Sequence, residues 1–223
     1  MQTLYSLLNY LSYLTPIVLV LSIVLGVVLF KQLAIHYRIL LVYFILAFTT
    51  DGLLRYFGYV SKRQYNLFVV PFFALGELLV LGYLYYRVFF NKSLLMLGLL
   101  MGFVGVLLID ALFFSHLFDP KQFQTYSKLI TNIGIVTFCL VFYGQELKLE
   151  TPRTELITLN AAMVLYFSVN LVIFSSLNFY VNAPIYLVFS FAALNILSAV
   201  AFYLFIDYQI WKHGKTPKTL RYG

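Results

Sequence analysis

Charged side chains are scarce in this chain of 223 residues, because Asp, Glu, Lys and Arg together make up only 10% of it. Soluble globular domains contain about 25% charged and about 45–50% apolar residues, whereas 62% of this chain is hydrophobic. So little polar surface could not cover a water-soluble fold, and a disordered chain needs the opposite composition. The composition therefore excludes a soluble enzyme and predicts a protein that lies in a lipid bilayer.

Cysteine and familiar catalytic motifs are also lacking. The single cysteine, Cys139, cannot form a disulfide within the chain, which excludes a disulfide scaffold. The sequence contains no P-loop, no G-x-S-x-G elbow and no H-E-x-x-H helix. The three histidines, His36, His116 and His213, are predicted on different sides of the membrane and are not expected to converge on a zinc ion. We therefore expect neither a metal site nor a cofactor.

Long apolar segments account for almost the whole chain. At about 1.5 Å per residue, they are long enough for helices that cross about 30 Å of hydrocarbon. They do not alternate as the strands of a membrane barrel do. The sequence therefore predicts an all-α, polytopic bundle of residues 1–211 with a basic tail, 212–223. The seven predicted spans are Leu11–Phe30, Ile39–Tyr59, Leu67–Phe90, Leu94–Phe118, Leu129–Phe142, Leu156–Tyr180 and Ala183–Ile210.

The basic residues are unequally distributed over the two sides of the predicted bundle. Of the 15 Lys and Arg residues, ten are predicted on the side of the C-terminal tail and four, including Lys128, on the side of the N-terminus. Positively charged loops favour the cytoplasm, which predicts a cytoplasmic C-terminus and an N-terminus outside. The net charge of +7 is thus explained by orientation in a bacterial inner membrane, and no nucleic-acid partner is expected.

Four charged residues fall within the predicted spans, where each costs at least about 2.5–3.5 kcal/mol on insertion. Asp51 and Arg55 lie four residues apart on one helix, so we expect them to pair on a shared face. Glu77 and Asp110 have no opposite charge in their own spans. Each therefore needs a partner elsewhere or must be held neutral, and the pattern indicates a functional site.

Two asparagines lie at a depth similar to that of the acids. Counted from the N-terminal side at about 1.5 Å per residue, Asn170 and Asn195 are predicted about 16–18 Å into the membrane. Other polar residues inside spans, such as Asn132 and Asn160, are explained by hydrogen bonds between helices. We therefore predict an outward-facing polar cavity that ends in a ligand-binding layer. That layer consists of Asp51, Arg55, Glu77, Asp110, Asn170 and Asn195.

Three functions fit this predicted cavity. The first is binding or sensing of a small polar or cationic ligand, with Glu77 and Asp110 supplying unneutralised negative charge and Asp51–Arg55 acting as an orienting pair. The second is a lipid-processing membrane hydrolase, in which Asp51, Glu77 and Asp110 would act as acids and bases. The third is a proton-coupled transporter of small solutes. The expected partners are the lipid bilayer, a small polar ligand or lipid and, for a sensor, a separate signalling protein.

Two segments carry a resemblance to known proteins. The stretch PFFALGELLVLGYLYYRVF (71–89) and the stretch 165–170 resemble those of small uncharacterised bacterial seven-helix membrane proteins. This resemblance implies the architecture and no catalytic role. The hydrolase alternative is similar only in size and helical architecture to the lysoplasmalogenase-like family, with which the chain shares no motif. In the fourth span, Gly98, Gly102 and Gly105 form a strip typical of close helix packing.

Overall fold

A computed structural model describes residues 2–60, 68–115, 126–176 and 184–214, which contain helices and no strand. Three helices, α3, α4 and α5, continue into a wider π-helical turn at 56–60, 85–89 and 110–114. The helices are α1 (Gln2–Ser12), α2 (Leu14–Val28), α3 (Ile35–Arg55), α4 (Val69–Leu84), α5 (Leu94–Ile109), α6 (Ser127–Glu146), α7 (Thr154–Ser175) and α8 (Ile185–Gly214).

In the part of the chain that the structure describes, seven helical segments are long and apolar enough to cross a membrane. They confirm the predicted all-α bundle with seven spans, and the protein is a multi-pass helical membrane protein. The side of the membrane on which each terminus lies stays a prediction. The segments are Ser6–Val28, Ile35–Tyr59, Val69–Phe89, Leu94–Phe114, Ser127–Glu146, Thr154–Ser175 and Phe189–Gly214.

The two ends of the bundle differ in their residues, and we name them by the direction of the helices. The N-side is the end at which α2, α4, α6 and α8 begin, and the C-side is the end at which α3, α5 and α7 begin. Several basic residues that contribute to the predicted orientation lie outside the described residues, and so does His116. These basic residues are Lys62, Arg63, Lys121 and those of the tail 215–223.

Six helices close into a ring. Each packs on the next in the order α2, α3, α4, α6, α7, α8, and α8 packs back on α2. Helix α5 lies outside this ring and packs on α4 and α6. The centre of the ring is aromatic, because Tyr43, Phe44, Phe167, Phe202 and Tyr203 are all buried there. Because the helices close into a ring, polar side chains from different helices can meet at its N-side, above this aromatic centre.

The contact between α4 and α5 corrects one prediction. At Gly98, Gly102 and Gly105, an added methyl group would meet no atom of the described residues within 4 Å, so this strip does not pack against another described helix. The close approach occurs instead at Gly82 on α4, where an added Cβ would lie 2.3 Å from Cδ1 of Leu100. The spacing of small residues indicated a packing face but could not tell which way α5 is turned.

Candidate polar cavity on the N-side

A polar cavity of about 270 Å³ opens on the N-side of the ring. Four of the six residues that the sequence assigned to a binding layer line it: Asp51, Arg55, Asn170 and Asn195. They come from α3, α7 and α8, so residues distant in sequence share one space. The other polar residues of its wall are Ser12, Thr15, Thr50, Lys128, Tyr166 and Tyr203.

The acid and base on α3 form the pair expected from their spacing. Arg55 Nε donates to Asp51 Oδ2 at 2.7 Å, and both side chains remain about a quarter exposed. Arg55 Nη2 also donates to the carbonyl oxygen of Ser12 at 2.6 Å, which ties the end of α1 to α3. Its guanidinium lies 5.0 Å from the centre of the Tyr13 ring. These contacts fix the arginine at the wall of the cavity.

Glu77 has a partner that the sequence analysis placed in a loop. Lys128 lies in the first turn of α6, is 7% exposed, and donates from Nζ to Oε2 of the fully buried Glu77. Tyr43 donates its hydroxyl to Oε1 of the same carboxylate at 3.3 Å. The prediction that Glu77 supplies unneutralised negative charge is therefore wrong, and Lys128 is not a loop residue that reports orientation.

The burial of Lys128 has a physical reason. Its ammonium lies 4.6 Å from the centre of the Phe73 ring and 5.7 Å from that of Phe174, and both rings stabilise a cation. Lys128 also falls on the buried face of α6, together with Thr131, Asn132 and Ile135 at helical spacing. This periodicity is a signal in the sequence that could have identified it as an interior residue.

Asp110, like Glu77, is not among the described residues that line the cavity, and it lies farther from it, at the end of α5 and outside the ring. Ser127 and Ser115 donate their hydroxyls to Asp110 Oδ2 at 2.7 and 3.1 Å. Because Ser127 is the first residue of α6, these contacts join the end of α5 to the start of α6. The structure thus places Asp110 at a junction between helices.

Two tyrosines form the inner wall of the cavity, and the sequence analysis did not identify them. Tyr166 lies one helical turn before Asn170 on α7, and Tyr203 lies two turns after Asn195 on α8. The ring of Tyr166 stacks on Phe202 with ring centres 4.5 Å apart and an angle of 5° between planes. Aromatic residues are so common in this chain that only their spacing from the asparagines could have identified them.

An unpartnered amide lies next to the buried ion pair. Asn132 is one turn from Lys128 on α6 and fully buried, and neither of its side-chain atoms bonds to a described residue. Buried amides are normally hydrogen-bonded. This side chain therefore extends the polar region from the Lys128–Glu77 pair into the bundle.

On the C-side, two histidines meet, although the sequence analysis did not expect histidines to converge. His36 Nε2 lies 3.1 Å from Glu155 Oε1, and His213 Nδ1 lies 3.5 Å from the same atom. Both histidines are at the C-side ends of their helices, and His116 lies outside the described residues. In the part of the chain that the structure describes, no group of three His, Cys, Asp or Glu residues is arranged to hold a metal ion.

Comparison with known proteins adds no family to this architecture. No family model, no curated protein and no solved structure matches the chain. The resemblance of the stretches 71–89 and 165–170 to bacterial seven-helix proteins stays a prediction. The fold and its N-side cavity define a class, the multi-pass helical membrane proteins with a polar cavity, and the function must be argued from the cavity.

Proposed function

We propose that this protein binds or senses a small polar ligand in the N-side cavity. The observation that carries the proposal is the convergence of Asp51, Arg55, Lys128, Asn170 and Asn195 on one space. Polar groups within spans are retained when they pair, line water or act on a ligand. The cavity volume of about 270 Å³ lies just below the usual range of ligand sites, about 300–1,000 Å³, which favours a small ligand or headgroup.

The charges at the wall determine which ligands fit. Arg55 and Lys128 contribute two positive charges, and Asp51 contributes one negative charge. The carboxylate of Glu77 lies behind Lys128 and is neutralised by it. Because Asp51 and Glu77 are each bonded to one of these cations, the charged atoms left for a ligand are mainly N–H donors, and this arrangement favours a ligand that offers hydrogen-bond acceptors. We therefore prefer a neutral or zwitterionic polar ligand, or an anionic group, to a cation.

The cellular setting completes the proposal. The distribution of basic residues favours an N-side that faces outward from a bacterial inner membrane, with the C-terminus in the cytoplasm. The cavity would then sample the outer compartment. A sensor of this kind would act through a separate signalling protein.

Ligand screening of the purified full-length chain tests the proposal. A defined panel of amino acids, sugars, polyamines, organic acids, phosphate esters and lysophospholipids would be added in detergent, and bound mass and thermal stability measured. We expect one class to bind, and we expect Asn170→Leu with Asn195→Leu to abolish that binding. The matched control is Leu108→Asn, a change of similar size at an exposed position of α5. Binding of no class, or binding that is unchanged in the double variant, contradicts the proposal.

A specific observation favours one alternative, a proton-coupled transporter. The buried Asn132 continues the polar region inward from Lys128 and Glu77, as a path for a proton or solute requires. Uptake of the identified ligand into proteoliposomes, driven by a pH gradient, would distinguish transport from binding alone. The hydrolase alternative has less support, since Asp51 is bonded to Arg55, Glu77 to Lys128, and Asp110 lies outside the cavity.

A further inference from the structure

We infer that the ligand of the N-side cavity is a single-chain phospholipid. Its phosphate group would lie against Arg55 and Lys128, and its acyl chain would lie in a groove between α7 and α8. This inference rests on the proposed function and names the class of ligand. It is carried by a second cavity, which shares one residue with the first.

The groove between α7 and α8 is apolar and has a volume of about 380 Å³. Its two aliphatic hydroxyl groups are turned to their own helices, because Thr158 donates to the carbonyl of Thr154 and Ser198 to that of Asn195. Small side chains keep the helices from filling it. The lining residues are Thr158, Ala161, Ala162, Leu165, Tyr166, Val169, Ser198, Ala201, Phe202 and Phe205.

The position and length of the groove match one acyl chain. Both of its walls lie within membrane-spanning segments, so hydrocarbon surrounds its open side. From Thr158 to Val169 it follows about 17 Å of helix, and half of a bilayer core is about 15 Å. One groove of this length accommodates a single chain, and we therefore infer a lipid with one chain.

Tyr166 lies between the groove and the polar cavity and lines both. Its ring stacks on Phe202 in the groove, while Asn170, one turn towards the N-side, lines only the polar cavity. Along this path the wall changes from cations, through asparagines, to an aromatic ring and then to aliphatic side chains. The same order describes a lysophospholipid, from phosphate through glycerol and ester to acyl chain.

The two cations retain donors for a phosphate. Arg55 uses Nε for Asp51 and Nη2 for Ser12, and its Nη1 has no hydrogen-bond partner among the described residues. Lys128 donates one hydrogen bond to Glu77, and an ammonium carries three donors. Arginine and lysine bind phosphate through such charge-assisted bonds. The acids keep the site neutral in the absence of a ligand.

A helix of a second copy is the other occupant that this groove would suit, since small residues permit close packing of helices. We favour the lipid because the groove and the polar cavity adjoin at Tyr166. A helix from another chain would leave the buried charges at that end without a partner, whereas a headgroup would bind them.

Photo-crosslinking tests the inference on the full-length chain in phosphatidylcholine nanodiscs. The probe is lysophosphatidylglycerol with a diazirine at the end of its acyl chain, and the cross-linked residues are mapped by mass spectrometry. We expect cross-links at residues 158–165 and 201–205. Ala201→Trp, which fills the groove, should lower the yield by about tenfold. Leu108→Trp, the matched control on the lipid-facing side of α5, should leave it unchanged.

A second comparison tests the headgroup. The double variant Lys128→Met with Glu77→Gln removes both charges of the buried pair and avoids an unpaired carboxylate. It should weaken labelling by the phosphate probe by about tenfold, but not labelling by a monoacylglycerol with the same diazirine chain. Equal loss with both probes would contradict the assignment of the phosphate.

The outcomes separate this inference from the proposed function. Cross-links scattered over the lipid-facing surface, cross-links between two copies, or labelling unaffected by Ala201→Trp would overturn the single-chain lipid. If a water-soluble member of the panel binds in the cavity while the lysophospholipid does not, the inference fails and the proposed function stands. If neither binds, both fail.

Discussion

The two ends of the bundle use the same kinds of polar residue in different ways. On the N-side, Asp51, Arg55 and Lys128 surround a cavity, and each leaves part of its polar surface facing that space. On the C-side, the polar groups bond mainly to one another, although Glu146 and Arg153 also border an open depression of about 470 Å³. The comparison teaches that charged residues in a span do not by themselves identify a site, whereas polar atoms that keep unused hydrogen-bonding capacity beside a cavity point to one.

The C-side clusters are well satisfied by protein atoms. Arg153 donates from Nε to Glu146 at 2.7 Å, from its backbone nitrogen to the same carboxylate at 2.9 Å, and from Nη2 to the carbonyl of Phe89 at 3.1 Å. Tyr85 donates its hydroxyl to Asn160 at 2.6 Å. These contacts connect α4, α6 and α7 at that end of the ring. We expect substitutions there to change stability, and substitutions at the cavity to change binding.

The largest loss of stability is expected at the buried ion pair. Lys128→Met leaves the carboxylate of Glu77 buried without its cation, which should lower the free energy of unfolding by about 3–5 kcal/mol. Adding Glu77→Gln to this variant should restore most of that loss. Thermal unfolding in detergent, monitored as the loss of monodisperse protein, measures the stability of the single and the double variant. If the single variant is as stable as the parent, the pair does not hold the N-side together.

A smaller effect is expected at the ion pair of the C-side. Arg153→Ala removes the charge-assisted hydrogen bonds to Glu146, which is 3% exposed, and should destabilise the protein by about 1.5–3 kcal/mol. Ligand binding in the N-side cavity should remain unchanged in this variant. A loss of binding that exceeds the loss of folded protein would show that the two ends are coupled. It would contradict the expectation that C-side residues affect stability alone.

The hydroxyl of Tyr85 should contribute less. Tyr85→Phe keeps the ring but leaves Oδ1 of the buried Asn160 without its donor, at a cost of about 1–3 kcal/mol. The double variant with Asn160→Leu should be less destabilised than the sum of the two single variants. Additive effects in this double-mutant cycle would contradict a direct interaction.

The smallest effect on stability is expected at Asn170. Its amide nitrogen donates to the carbonyl of Tyr166 in its own helix at 3.0 Å and makes no hydrogen bond to another helix in the described residues. Asn170→Leu should therefore change the unfolding free energy by less than about 1 kcal/mol. Binding of the lysophospholipid or of the panel ligand should nevertheless fall clearly. A large loss of stability would instead make Asn170 a structural residue.

Much of the fold could be predicted from the chain alone. Hydropathy determines the spans because each helix must satisfy its own backbone hydrogen bonds in lipid. The Asp51–Arg55 pair follows from local geometry, since residues four apart on a helix are neighbours. Such features depend on one segment only, so the sequence of that segment is enough to predict them.

Features that depend on two segments were harder to predict. The partner of Glu77 lies 51 residues away on another helix, and a lysine near a span boundary resembles a loop residue. Asp110 shares the depth of the cavity residues but is on α5, outside the ring. Depth along each helix could be counted from the sequence, whereas the rotation of each helix and the order of helices around the ring could not.

One labelling measurement tests the central claim, that the polar residues of the N-side face an accessible cavity while the polar cluster around Tyr85 is buried. The variant Asn195→Cys carries two thiols. The new one lies at the cavity wall, and the native one, Cys139, is fully buried beside Tyr85. A charged, membrane-impermeant maleimide would be added to sealed proteoliposomes of known orientation, and each site quantified by mass spectrometry. The account predicts reaction at position 195 from the N-side, protection there by lysophosphatidylglycerol, and no reaction at Cys139. An unreactive thiol at position 195 together with a reactive Cys139 would contradict it.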